Sequence, residues 1–475
     1  MTLYQPLVVS NHEGSLKIFI NNFSENPWYG TTLLTIVLIL LGIFFIRSYY
    51  ELILLPFYSV VSIYGSFNIF VFIFSWKNER YRPKKLSYIP EDPVTLMYLT
   101  YNDFKEEAFR TLLKAKRNCD FILIVDDSNL PELKNRIDAI AEETGSKVIR
   151  RENRKGFKAG AINNALESVS TKYISIVDSD ERVPENFITG VLPYFSDDDV
   201  AFVQVSHFAT NNSTLWEKYM GYGVNMHWRI YHPYRNRFGV VNYLGHGAIL
   251  KKSAVESVGK FPEIVAEDIG ITTEFYSTNM RGVFVDEIKA GEEFPETYSS
   301  FRRRHRKWTM GSTQFMRYYF ISILKSNMRW YQKLDIIVPG ISLPMTLLLF
   351  TYIIIVSFFH IGSSIMLFIV ALISMGAPNL GFARMQDKKE IPKTIAINAL
   401  AYVSLFPTSV YYAIKGFVKP IFLVTGEKVK NNSSRIIELR ESGKSIREIS
   451  QLVGIKRSTV HGILKSVSEN PTPQI

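Results

Sequence analysis

The chain has 475 residues, with 47% hydrophobic and 14% aromatic side chains and a formal net charge of +11. That length accommodates about two or three domains, and the apolar share is high for a wholly soluble protein. The single cysteine, Cys119, excludes an intramolecular disulfide framework and a cysteine cluster for zinc or iron–sulfur, and is expected to be a buried thiol.

After an N-terminal segment (1–29), no charged residue occurs in 26–46 or 52–76, nor later in 336–383 (His360 aside) or 394–414. About 20 apolar residues cross a bilayer. Residues 30–76 are therefore expected to form two transmembrane helices. A C-terminal membrane region (335–424) is expected to hold two more with a turn near His360, then a stretch interrupted by Pro407 that crosses once or re-enters. Basic segments at 77–85, 302–307, 384–393 and 415–430 flank these spans and, by the positive-inside tendency, put the polar region and the C-terminus in the cytoplasm.

Between the spans, residues 80–308 carry short β-branched or apolar runs at 94–100, 121–125, 147–149, 173–177 and 200–205, with helix-like patterns at 105–116 and 160–168. The alternation predicts a mainly parallel α/β sheet whose ligand crevice lies at the carboxyl ends of the strands. Those ends are acidic: Thr100-Tyr101-Asn102-Asp103, Asp126-Asp127-Ser128 and Asp178-Ser179-Asp180. On a strand, positions i and i+2 face the same way, so Asp178 and Asp180 can project together, and hard carboxylate oxygens suit Mg²⁺ or Mn²⁺. A solvated turn is the bland alternative. Asn153-Arg154-Lys155-Gly156-Phe157-Lys158-Ala159-Gly160 brings glycines and cations before a helix, which suits a nucleotide diphosphate.

Farther on come Leu244-Gly245-His246-Gly247-Ala248 and Ala266-Glu267-Asp268-Ile269-Gly270. Asp268 can be a helix cap or a general base. Arg302-Arg303-Arg304-His305-Arg306-Lys307-Trp308 is either a polybasic stretch for anionic lipid heads or a cationic and aromatic clamp on a diphosphate and a sugar. Residues 309–334 are expected to form interfacial amphipathic helices, with a core helix as the alternative. The tail at 431–468 has a helix-turn-helix pattern.

This ordered set resembles the membrane-embedded family 2 glycosyltransferases, which include cellulose, chitin and hyaluronan synthases and ceramide glucosyltransferase, over roughly residues 30–425. The resemblance implies an α/β GT-A-type nucleotide-sugar transferase domain inserted between transmembrane helices. It implies that Tyr101 stacks on the donor base, Asp127 accepts the base's imide hydrogen, as fits uracil, and Lys158 approaches the phosphates. Asp180, helped by Asp178, would hold Mg²⁺ or Mn²⁺, and Asp268 would be the general base of an inverting transfer that forms a β-linkage. Glu267, His246, Arg304, Lys307 and Trp308 would serve the acceptor and the diphosphate. Lys307 stands where the family has Arg, and Arg304 where processive synthases have Gln, so sugar transfer is better supported than processive synthesis, and the acceptor is a polysaccharide or a lipid. The tail resembles the resolvase and transposase helix-turn-helix, which implies a small all-α domain with Lys456, Arg457, Ser458, Thr459 and His461 as candidate DNA contacts, or else a docking element. The alternative function is a membrane-tethered nucleotide-sugar sensor that binds DNA. No Gly-x4-Gly-Lys-Ser/Thr run is present to favour nucleotide-driven transport.

Overall fold

The computed structural model describes residues 26–44, 46, 49–78, 81–359, 381, 387–418, 439–440, 442–453, 460–461 and 464. They belong to two units divided after Val418. In the first, α1 (Pro27–Phe44) starts where Asn26 Oδ1 accepts from the Trp28 amide at 3.0 Å, and it runs against α2 (Leu55–Asn78). Trp28 stacks on Phe67 at 5.3 Å, fixing one end of the pair. The outer side of α1 leaves Leu33, Ile36, Val37 and Leu40 exposed. A helix that is apolar all round has no use for water on its free face, and α1 and α2 are both long and apolar enough to cross a membrane.

The polar region folds as β1 (Val94–Thr100), α3 (Glu106–Ala115), β2 (Phe121–Asp126), α4 (Pro131–Thr144), β3 (Lys147–Ile149), α5 (Phe157–Leu166), β4 (Tyr173–Asp178), α6 (Phe187–Val191), β5 (Val200–Ala209), α7 (Leu215–Met226), α8 (His232–Phe238), β6 (Ala248–Lys251), α9 (Lys252–Ser257), α10 (Glu267–Ser277) and β7 (Arg281–Glu292). The strands form one sheet in the order β3-β2-β1-β4-β6-β5-β7. Every residue of β1 is buried, as a parallel strand covered on both faces requires. Leu96 and Tyr98 pack with Phe109 and Leu112 of α3 and Ile137 of α4 on one face, while Met97 and Leu99 join the core of Ile162 and Phe275 on the other.

The α/β sheet expected from the sequence is present, with two additions. Strand β6 pairs antiparallel with both β4 and β5, because the chain enters it from the 244–247 loop at the carboxyl end of the sheet and has to run back. Strand β7 pairs parallel to β5 with a register shift between Val205 and Ser206. Cys119 is not buried as expected: it lies exposed in the turn before β2. Because β1 has β2 on one side and β4 on the other, the crossovers diverge there and open a crevice at the ends of β1 and β4.

Helix α11 (Tyr298–Lys325) begins well before residue 309, so the basic motif at 302–308 is helical from the start, capped by Thr297, which accepts from the Ser300 amide. Then come α12 (Trp330–Gly340) and α13 (Met345–Phe359), which meet at 65°, and α14 (Ile391–Val418), which runs on through Pro407 rather than breaking there. Helix α14 is also long and apolar enough to cross a membrane. A polar ladder joins α11 to α14: Tyr298–Ser404 at 2.8 Å, Arg302–Thr408 at 3.1 Å, His305–Ser409 at 2.7 Å and Arg306–Tyr412 at 3.4 Å. The partner numbers rise together, so the two helices run parallel.

In the second unit, Ser445 and Glu448 cap α15 (Ile446–Val453) reciprocally, and Ile449 packs with Val460, Leu439 and Leu464. His461 is exposed on a helical turn, while Lys456, Arg457, Ser458 and Thr459 lie outside the described residues.

A buried ion pair fastens α12 to α8. Arg235 meets Asp335 at 3.2 Å with side chains 3% and 0% exposed, and the second oxygen of Asp335 accepts from the Val240 amide at 2.6 Å. Removing one partner strands a charge in a dry interior, so Arg235→Met is expected to cost about 3–5 kcal/mol. A melting midpoint in detergent equal to that of the parent protein would show that the pair carries no such load.

Candidate active site

Three acidic strand ends are tied into one surface by short polar links. The Asp127 amide donates to Thr100 O at 3.0 Å, the Asn102 amide to Ser128 Oγ at 2.9 Å, and Ser179 Oγ to Asp103 Oδ2 at 2.8 Å. Ser179 thus binds the Asp178-Ser179-Asp180 turn to the loop after β1, while Tyr98 donates to its carbonyl at 2.9 Å. Asn102 and Phe157, both at this end of the sheet, take left-handed backbone conformations (φ 57° and 50°), uncommon for residues with a side chain.

Asp178 and Asp180 line one cleft of about 410 Å³ with His246, Glu292, Ser300 and Arg304. Lys158, in the first turn of α5, donates to Asp178 Oδ1 at 2.6 Å. Burial disfavours the lysine's charge, but Asp178, Glu267 and Asp268 outweigh that and raise its pKa. Burial, followed by the charges of Asp178 and Glu292, raises Asp180 above the usual carboxylate range. Two neighbouring carboxylates with oxygen donors at a cleft wall are a fitting donor set for Mg²⁺ or Mn²⁺.

Behind the cleft sit Glu181 and His207, two residues the sequence did not point to. Glu181 is buried between His207 Nε2 at 3.2 Å and His246 Nδ1 at 3.3 Å. Burial opposes its charge, yet the two imidazoles hold it down to about 2. Burial likewise disfavours a charged His246, but Glu181, Asp178 and Glu292 raise it to about 9. Glu181, His207 and His246 offer ligand atoms within 4.8 Å of one another. The two rings stack at 4.6 Å with planes 1° apart, so their in-plane lone pairs lie in separate layers, which disfavours one ion binding both and suits a charge clamp on His246. Gln204 fixes the same loop, donating to the His246 and Gly247 carbonyls at 3.0 and 2.9 Å and accepting from the Leu244 amide at 3.1 Å.

Asp268 lies in the first turn of α10, its Oδ1 accepting from the Ile269 amide at 2.8 Å. Burial raises its pKa, against the pull of that amide and of Lys158, and burial raises Glu267 as well. Arg304 reaches toward Glu292 at 3.8 Å and lies over the Trp308 ring at 4.8 Å. Lys307 and Trp308 are exposed, so of the three motif residues Arg304 is the one that lines the cleft. Tyr101 and Asp127 form a neighbouring patch at the ends of β1 and β2. Arg151 grips both oxygens of Asp127, at 2.8 and 2.6 Å. Asp126, by contrast, is buried against Arg150 at 2.7 Å.

Residues 173–383 match the family model described as "Glycosyl transferase family group 2". The match begins at β4 and takes in β5, β6 and β7 of the mixed α/β sheet described above. Among curated proteins it is similar to "Probable glucomannan 4-beta-mannosyltransferase 7" of Oryza sativa subsp. japonica, 25% identical over 45% of this chain and 38% of the relative. It is also similar to "Glucomannan 4-beta-mannosyltransferase 1" of the same plant, 22% identical over 43% of this chain and 42% of the relative. The chain thus spans about two fifths of the length of these relatives. Among solved structures it is similar to the mannosyltransferase PcManGT from Pyrobaculum calidifontis in complex with GDP-Man and Mn²⁺ (TM-score 0.45, 16% identity, 76% of this chain and 97% of that one). S. aureus TarS 1–349 is similar at a TM-score of 0.38 and 15% identity, covering 68% of this chain and 92% of that one.

Gly247 holds φ at +62°, and a Cβ there would stand 1.9 Å from His207 Nε2 and 2.7 Å from Glu181 Oε1. Gly247→Ala is expected to lose about 1–3 kcal/mol of stability, because both the backbone and the clamp have to shift. Adding His207→Ala should return part of that loss. A double variant that melts no higher than the sum of the single changes predicts would place the strain elsewhere.

Proposed function

We propose that this chain transfers a hexosyl unit from a nucleotide-diphosphate sugar, with UDP as the nucleotide, to a polysaccharide acceptor at the membrane, with inversion to a β-linkage. A membrane lipid is the second acceptor class. The observation that carries the reading is the convergence of Asp178, Asp180, Lys158 and Asp268 at the carboxyl ends of the sheet, beside the Tyr101 and Asp127 patch. The β-mannosyltransferase names of the relatives support a β-linked product. UDP suits Asp127, whose two oxygens are already taken by Arg151: the lone pair left on one oxygen can meet the single imide N–H of uracil, whereas guanine offers a paired donor edge.

In this reading Tyr101 stacks on the base, Lys158 faces the phosphates, and Asp180 with Asp178 holds Mg²⁺ or Mn²⁺. The cation, when bound, supplies charge neutralisation of the diphosphate. Asp268 takes the proton of the acceptor hydroxyl as that oxygen bonds to the anomeric carbon and the bond from that carbon to the diphosphate oxygen breaks. Glu267, His246 and Arg304 shape the acceptor and leaving-group side, and Lys307 and Trp308 extend it along α11. Three apolar helices with basic flanks support a multi-pass membrane protein with its catalytic and C-terminal domains in the cytoplasm.

The test is release of nucleoside diphosphate by the purified protein with a panel of UDP- and GDP-sugars, with Mg²⁺ or Mn²⁺ and with chelator. Metal-dependent turnover of one donor is expected. Asp268→Asn should abolish turnover and keep donor binding, while Asp180→Ala should weaken metal-dependent donor binding itself by tenfold or more, about the loss of one strong charge-assisted contact. No turnover with any donor would return the reading to a tethered nucleotide-sugar sensor.

The raised pKa of Asp268 fixes the sign of the pH response. A carboxylate whose pKa is raised loses its base form earlier as pH falls, so the acid limb of kcat/KM is expected above the usual aspartate value of about 4. Lys158 pulls that pKa down, so Lys158→Met should move the limb to higher pH in whatever activity remains. A limb that stays put or moves to lower pH would remove Asp268 as the titrating base.

A further inference from the structure

Arg154 covers a face of the Tyr101 ring on which a planar ligand could stack. Its guanidinium carbon is 3.4 Å from the ring centroid, about the thickness of a stacked π system. Its hydrogen bond to Asp127 is long, Nε to Oδ2 at 3.4 Å. Arg151 is fastened quite differently, to both oxygens of Asp127 and also to the carbonyls of Lys155 and Phe157, the latter at 2.7 Å. Asp127 therefore keeps its partner, and the 151–157 loop its shape, without Arg154.

That loop leads straight into α5, where Lys158 reaches Asp178 in the acidic cleft. Arg154 thus lies on the segment that joins the Tyr101 patch to the cleft, on a long side chain only 29% exposed. Phe157 is the other ring near its guanidinium, at 5.9 Å.

We propose that Arg154 is a donor-binding residue with two positions, one over Tyr101 and one on the donor's diphosphate, so that arrival of the base on Tyr101 releases the cation that pairs with the phosphates. The proposal rests on the nucleotide-sugar reading above. A base without phosphates has to displace the guanidinium and gains nothing from it afterwards. A nucleoside diphosphate recovers the displacement through charge-assisted hydrogen bonds. Arg154 should therefore weaken the binding of a nucleoside and strengthen that of its diphosphate.

Isothermal titration of the full-length protein in detergent with Mg²⁺ tests this, using uridine and UDP, then guanosine and GDP, against the parent protein, Arg154→Ala and Arg154→Lys. In Arg154→Ala the nucleoside is expected to bind about three- to tenfold tighter and the diphosphate about tenfold weaker. Arg154→Lys, which keeps a charge and loses the planar cover, should show the tighter nucleoside with a smaller loss for the diphosphate. Melting midpoints of the three proteins check that the loop is intact. Changes of the same sign for nucleoside and diphosphate, or no change in either, would overturn the two-position role while leaving nucleotide binding standing. Binding of neither pair by any of the three proteins would overturn the nucleotide-sugar reading and this inference with it.

Discussion

Lys158 donates to Asp178 at 2.6 Å while also facing the charges of Glu267 and Asp268. With His246 and Arg304 it answers a group of carboxylates, Asp178, Asp180, Glu181, Glu267, Asp268 and Glu292, gathered behind and around one cleft. Carboxylates at this density cannot all ionise without counter-charge. The fold spreads them by giving each a different neighbour: two imidazoles for Glu181, an ammonium for Asp178, a backbone amide for Asp268. For Asp180, burial and the charge of Asp178 outweigh the pull of His246, so an added cation would relieve the crowding there.

The surrounding scaffold keeps this charge in place from several directions. Ser179 and Tyr98 hold the acidic turn from the β1 side, and Gln204 holds the 244–247 loop from β5. Gly247 admits His207 and Glu181 where a side chain would not. Beside the apolar helices, the ladder between α11 and α14 fixes the helix that carries Arg304, and the Arg235–Asp335 pair fixes α12 against α8. The cleft and the apolar helices are therefore parts of one packed unit.

The sequence displayed the strands and their acidic ends because both are local: a buried parallel strand is a continuous apolar run, and the residue after it faces the crevice. What it hid was pairing at a distance. Nothing in Asp127 announces Arg151, 24 residues on, and nothing in Glu181 announces His207 and His246. The 4 residues of β6 are too few to show a period, and β7 mixes charges into its run, Val285-Asp286-Glu287-Ile288-Lys289, at a register shift that blurs the alternation. Cys119 misled because thiols are usually buried, whereas this one lies in a turn. Pro407 misled because an interior proline costs one helical hydrogen bond, which a long helix packed against α11 tolerates.

The basic run at 302–308 shows how one helix can meet two demands that its sequence could not separate. As lipid-facing charge the run would point outward together; as a clamp it would point into the cleft together. The helix does neither. Arg302, His305 and Arg306 turn to Thr408, Ser409 and Tyr412 on α14, and Arg303 folds back on Ser299 and Ser300. Arg304 alone of the run turns toward Glu292, and Lys307 and Trp308 stay exposed. At 100° per residue a helix has to distribute consecutive cations around its axis. The run is thus spent mostly on holding α11 against an apolar helix, so that a single guanidinium stands at the cleft wall beside the carboxylates.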